Sequence, residues 1–179
     1  MPEFTNRLAT ENDIPAIKTL MHSAIDELQR PFLTKAQIEA SHELMGLDTQ
    51  LIEDRTYFLI EAGNILVGCG GWSNRTTLFG ANHTSGRDAA LLDPARSPAR
   101  IRAMYTHPEW TRQGIGNIIM KLCEDAARHA GFSRASMAAT LAGEPLYRKC
   151  GYEPVEYLEA PTSKGSTVPL IRMEKPLIL

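Results

Sequence analysis

Cysteine is scarce and unpaired in this sequence, basic charge is in deficit, and no long apolar run occurs. Each absence excludes a class of protein. Cys69, Cys123 and Cys150 are odd in number and lack C-x-x-C spacing, which argues against a disulfide framework or a structural zinc site and reads as small buried hydrophobes. With 19 Lys and Arg against 21 Asp and Glu, the formal net charge is −2, so no overall basic field draws nucleic acid or an anionic membrane surface. Trp72 and Trp110 lack the interleaved basic segment that single-stranded nucleic acid would need; Trp72 reads as core or as acceptor-side lining. No apolar run approaches the roughly 20 residues of a membrane span, and the first seven residues lack the apolar core of a signal peptide, so the expected location is cytoplasmic. Neither H-E-x-x-H nor clustered Cys/His spacing is present, so no metal is expected.

What is there suffices for a sizeable core: 43% of 179 residues are hydrophobic, and residues 1–179 read as a single domain with a long loop at 73–99. Thr10-Glu11-Asn12-Asp13 has capping-box spacing ahead of Ile14, Ile17, Leu20, Met21, Ala24, Ile25 and Leu28, which share one helical face. A short strand at 4–9 precedes this helix, and Pro31 stops it. Thr34 and Gln37 form a second capping box, opening a helix that ends near Met45 and Gly46. Residues 57–61 and 65–72 read as strands joined by a tight Gly63-Asn64 hairpin turn. Between 73 and 98, Gly80, Asn82, Ser85, Gly86, Pro94 and Pro98 scatter among charges, giving a long loop that is either a functional lid or a plain flexible connection.

A strand at 101–106, an interruption at Pro108-Glu109-Trp110 and a broad apolar helical stripe from Ile115 to Ala130 follow. Strands at 133–137, 152–159 and 167–174, with a short helix at 145–150, complete the chain. A strand, a glycine turn and a helix together make an anion site, because the first-turn amides have no intrahelical partners. Here those amides belong to Gln113 through Asn117; Gly114 and Gly116 remove bulk so that phosphate can approach, and Arg112 adds charge. Glycines also serve ordinary turns and close packing, so this pair is ambiguous alone. A dinucleotide fingerprint would need a third glycine where Ile119 stands, and a P-loop would need Gly-Lys-Ser/Thr, which is absent.

The string IRAMYTHPEWTRQGIGNIIM, residues 101–120, resembles the central acyl-CoA-binding motif of the GNAT N-acetyltransferase superfamily. Met104, Thr106, Pro108, Gly114 and Gly116 fit the motif, while Thr111 stands where the family usually has Arg or Gln. EPLYRKCGYEPVE, residues 144–156, resembles a later motif through Tyr147, Gly151 and Tyr152. The resemblance implies an α/β (α+β) domain with a mixed, mostly antiparallel sheet of about seven strands, splayed between the fourth and fifth and flanked by about four helices. It implies a cytoplasmic acyltransferase that passes the acetyl group of acetyl-CoA to a primary amine of a small molecule, peptide or protein. Met104, Tyr105, Thr106, Arg112, Gln113, Gly114, Ile115, Gly116 and Asn117 would hold the cofactor, with amides near Met104 and Tyr105 facing the thioester carbonyl.

Tyr147 is the implied general acid, because a phenol can donate a proton to the departing thiolate; the competing reading is a packed aromatic with a satisfied hydroxyl. Some family members carry a glutamate base at the position the resemblance aligns with Arg100 here, so that role does not carry over. His42, Glu43, His83, Asp88 and Glu144 are bases or substrate contacts in one reading and solvated side chains in the other. His107 reads as a turn histidine. No base is assigned. The alternative functions are a non-catalytic acyl-CoA-binding regulatory module, and a homodimeric interaction protein that uses the fold structurally.

Overall fold

The computed structural model describes residues 2–84 and 88–178, so Ser85 and Gly86 of the long loop lie outside the described residues. In chain order the elements are β1 (Phe4–Leu8), α1 (Ile14–Leu28), α2 (Lys35–Leu44), α3 (Gln50–Glu53), β2 (Tyr57–Ala62), β3 (Ile65–Ser73), β4 (Ala99–Thr106), α4 (Ile115–His129), β5 (Arg134–Ala139), α5 (Glu144–Lys149), β6 (Glu153–Pro161) and β7 (Thr167–Pro176). The strands form one seven-stranded sheet in the order β1-β2-β3-β4-β5-β7-β6. Every pairing is antiparallel except β4 with β5. Among the described residues no helix is long and apolar enough to cross a membrane.

Both capping boxes form. At Thr34 the hydroxyl accepts from the Gln37 amide, and the Gln37 side chain accepts from the Thr34 amide. At Thr10 the box closes a 3-10 turn over Glu11–Asp13, and α1 begins behind it with Pro15 in its first turn, where a missing amide hydrogen costs nothing. The two-residue hairpin pairs Ala62 with Ile65 across Gly63, whose φ of 60° needs glycine's freedom.

Two features of the sheet position the site. First, β4 and β5 pair only at Ala99↔Ala135 and Arg100↔Ser136, so the sheet opens beyond that point. Arg100 bridges the closed end, donating from Nη1 to Ser136 Oγ at 2.9 Å. Second, β3 lets α4 come very close. A Cβ on Gly68 would lie 2.4 Å from Ile115 Cγ2, and one on Gly70 would lie 2.5 Å from Ile119 Cγ2. Ile115, Ile119, Cys123 and Ala127 fill the core between α4 and the sheet, while Ile17, Leu20, Leu59 and Cys69 belong to a second core beneath α1. This alternation along β3 follows from its period of two.

The structure differs from the sequence reading in three places. Five helices flank the sheet among the described residues, because the four-residue α3 has no apolar period long enough to read. β4 starts at Ala99, so its half of the closed end, Ala99 and Arg100, lies just outside the strand the periodicity marks, and β5 runs on to Ala139. The described part of the 73–98 segment is partly zipped: Arg75 bridges Leu91, and the Arg75 guanidinium pairs with Asp54 at 2.7 Å. Replacing Gly70 with Ala is expected to destabilise the protein by about 1–3 kcal/mol, because the added methyl overpacks Ile119 and Met104. The measurement is a urea midpoint at constant m; an unshifted midpoint would mean that α4 lifts freely.

Candidate functional site

The chain leaves β4 at Thr106, makes a 3-10 turn over Pro108–Trp110 and enters α4 through two left-handed residues, Arg112 (φ 65°) and Gly114 (φ 86°). The His107 ring accepts the Glu109 amide at Nδ1 (3.2 Å), so this histidine caps the turn. Ile115 is buried and anchors the first turn of α4 in the core, leaving that turn's amides at the mouth of the split. The two glycines do different work. Gly114 needs its backbone conformation, and the space where a Cβ would sit is open for 4 Å. Gly116 instead admits Leu146, whose Cδ2 would be 2.5 Å from a Cβ there, so it packs α4 against α5.

A cavity of ≈ 580 Å³ occupies the split. Met104, Tyr105, Thr106, Arg112, Gly114, Ile115, Gly116, Asn117 and Tyr147 all line it; Gln113 is exposed and lies outside the lining. Along β4 the register with β3 passes from Cys69↔Tyr105 to Gly71↔Arg102, so Ala103 and Met104 stand opposite the single residue Gly70. This is a bulge, with Ala103 at φ 50° and its carbonyl held by the Tyr57 hydroxyl at 2.6 Å. A bulge takes local backbone groups out of the ladder.

The charged residues lining the cavity, among those described, are Arg102, Arg112 and Lys149, and none is acidic. Arg102 is buried against Asp48 and donates to the Gly80 carbonyl at 2.7 Å, which leaves Arg112 and Lys149 as the exposed cations near the α4 terminus. Positive side chains and a helix N-terminus act together on any anion there. Lys149 escaped the sequence reading. It is one of several lysines, and only the packing of α5 beside α4 brings it to the cavity that the glycine turn also lines.

Tyr147 is half-buried and its ring lies across Gly143, where a Cβ would meet ring Cε2 at 2.6 Å. Its hydroxyl has no protein hydrogen-bond partner among the described residues. Burial, reinforced by the Cys150 and Cys123 thiols, raises its pKa well above the usual phenol range. Cys69 and Cys123 are buried, and burial pushes the Cys69 thiol up to about 12, so neither is poised as a nucleophile.

None of the residues weighed as bases lines the cavity. The Glu43 carboxylate accepts the Ser163 amide and hydroxyl at 2.9 Å, and Glu144 pairs with Arg148 at 2.8 Å. His42 pairs with Asp26, and His83 meets the His42 carbonyl. The Asp88 carboxylate accepts the Ala90 amide within its own loop. Trp72 is buried edge-on to Phe132, a core contact, whereas Trp110 lines the cavity.

An open mixed sheet, split beside a bulge and a glycine turn, defines the chain as an enzyme of the N-acetyltransferase type. The profile of the Acetyltransferase (GNAT) family matches residues 18–152, and the chain belongs to that family. The fold is similar to that of a GCN5-related N-acetyltransferase from Rhodopseudomonas palustris (TM-score 0.72, 14% identity, covering 98% of this chain and 96% of that one). It is also similar to the PaiA N-acetyltransferase from Thermoplasma acidophilum, solved with coenzyme A (TM-score 0.64, 12% identity, 97% and 99% covered). A third similar structure is yncA from Salmonella typhimurium, solved with its cofactor acetyl-CoA (TM-score 0.63, 18% identity, 99% and 95% covered). No curated protein matches the sequence.

A raised pKa favours the protonated phenol, so Tyr147 should remain un-ionised through the ordinary phenol range near pH 10. Subtracting the ultraviolet pH titration of Tyr147→Phe from that of the wild type isolates its contribution. A tyrosinate signal appearing at or below pH 10 in that difference would contradict the assigned environment.

Proposed function

We propose that this enzyme transfers the acetyl group of acetyl-CoA to a primary amine by direct attack in a ternary complex. The observation carrying this reading is a cavity whose exposed charges are all positive, ending at the α4 N-terminus and containing an unpartnered Tyr147 hydroxyl. The residues present fit an anionic donor. Gly114 leaves open space over the turn, and Arg112 and Lys149 add charge where the pyrophosphate would approach the amides of Ile115, Gly116 and Asn117. The coenzyme A and acetyl-CoA complexes of the PaiA and yncA structures support the same donor.

In this reading the bulged backbone at Met104 and Tyr105 supplies amide donors to the thioester carbonyl, and Thr106 pairs with the pantetheine arm. The amine nitrogen forms a bond to the carbonyl carbon, negative charge gathers on the carbonyl oxygen, and fixed donors stabilise it. As the carbon–sulfur bond breaks, Tyr147 gives its proton to the thiolate, and the amine's surplus proton leaves through water and restores the phenol. The products are an amide and free coenzyme A. With no carboxylate in the described lining, water is the proton's route out.

The far end of the cavity is apolar, walled by Leu28, Phe32, Leu44, Phe79, Val168 and Leu170. A monoamine with an apolar body suits it better than a polyamine, whose second charge would find no acidic partner there. Desolvation at this end also favours the neutral, nucleophilic amine. A regulatory module that only binds acyl-CoA would retain the glycine turn without using Tyr147, so turnover separates the two functions.

Incubation with acetyl-CoA and a panel of amines, following free thiol and acetylated product separately, tests the whole reading. Product is expected with apolar monoamines ahead of polyamines, and coenzyme binding without transfer to any amine would favour the regulatory module. Tyr147→Phe should lower kcat about 100-fold while leaving the KM for acetyl-CoA near its wild-type value; full turnover in that variant would remove Tyr147 from the mechanism. Lys149→Ala should weaken acetyl-CoA binding about 3- to 10-fold with kcat retained, and more at low salt than at high. Salt-independent affinity would place Lys149 away from the phosphates.

A further inference from the structure

Outside the cavity, one group of side chains among the described residues has the composition of a cation site. His22 and Asp26 lie one turn apart on α1, and His42 reaches them from the last turn of α2. Asp26 Oδ1 is 2.7 Å from His42 Nε2, and Asp26 Oδ2 is 3.1 Å from His22 Nε2. The two imidazole rings stand 4.7 Å apart at 33°, and all three ligating atoms fall within 4.8 Å of one another.

The geometry is hard to account for by the ion pair alone. One carboxylate needs only one imidazolium partner, yet two rings present the same nitrogen to opposite oxygens of the same group. As neutral tautomers protonated at Nδ1, both histidines would direct Nε2 lone pairs into the space that the carboxylate faces. We propose that His22, Asp26 and His42 form a binding site for a borderline divalent cation of the zinc class that clamps α1 to α2. Two nitrogens and one oxygen suit zinc, nickel, cobalt or copper, whereas magnesium and calcium take oxygen ligands. Three protein ligands leave a coordination position for water.

The ligands sit on helices, so the backbone already sets their spacing; His22 is exposed, and Asp26 and His42 are partly buried. Arg30 is the remaining charge acting on Asp26, and the cation must outweigh it. The clamp also has a place to act. Leu28 of α1, Leu44 of α2 and Phe32 between them wall the apolar end of the cavity, so fixing the two helices fixes that wall. No short motif betrays the site, because His42 joins from a second helix, 16 residues beyond Asp26.

The full-length protein, stripped with chelator and dialysed, is titrated calorimetrically with zinc chloride alone and, separately, with magnesium chloride. Zinc is expected to bind one equivalent with Kd on the order of 10 µM and magnesium not to bind. His22→Ala, Asp26→Asn and His42→Ala should each weaken zinc at least about 10-fold, while His129→Ala, remote on α4, leaves it unchanged. Zinc at about 100 times Kd should raise the melting temperature by roughly 5–10 °C in the wild type and not in His42→Ala. Circular dichroism checks that the surface variants are folded. A wild-type Kd weaker than about 100 µM, or zinc affinity that survives in His42→Ala, overturns the site.

Discussion

At Gly68 and Gly70 the sheet has no side chains to hold a helix away, and Ile115 and Ile119 of α4 reach down to its backbone. The closeness of that contact fixes where the N-terminus of α4 ends. Because Ile115 is both the first residue of the helix and fully buried, the preceding turn cannot drift from the edge of β4. Here a shift would move the free amides of the first turn away from the split, and the cavity would lose the end that favours an anion.

The split itself follows from the brevity of the β4–β5 pairing. Two residue pairs hold the strands together, with the Arg100 side chain reaching Ser136 at the closed end. Beyond them β4 has no partner on the β5 side, and a bulge at Ala103-Met104 interrupts its ladder with β3. Tyr57 secures the Ala103 carbonyl from below, so a left-handed alanine, costly for a residue with a Cβ, is held from the β2 side of the sheet. A bulge, a helix terminus and a half-buried phenol thus converge because three neighbouring strands carry unusual residues at adjacent positions.

Much of this was legible in the chain. The capping boxes at Thr10 and Thr34, the Gly63-Asn64 hairpin and the apolar stripe of α4 are local patterns, and each forms where its spacing puts it. The glycine turn was legible as a candidate anion site, and its surroundings as an acetyltransferase motif. Less was legible about what each residue does. Gly114 and Gly116 look alike in the string G-x-G, yet one supplies a positive φ and the other admits Leu146. Trp72 was equally open to core or acceptor-side lining, and it packs edge-on against Phe132 in the core. The residues weighed as bases all found partners elsewhere, through contacts such as Glu43 with Ser163, 120 positions apart.

Apart from the short α3, the sequence by itself determined the order and type of the elements, the position of the glycine turn and the family, because these depend on periodicity and on residues within a few positions of one another. Tertiary structure alone decided which side chains share a space. Lys149 joins Arg112, and Tyr147 loses any protein partner for its hydroxyl, only when α5 docks against α4; His42 meets Asp26 only when α2 folds back on α1. Those encounters are set by the packing of whole helices on the two faces of the sheet. No local pattern encodes them, since each partner is an ordinary residue in an ordinary helix until the fold brings the other beside it.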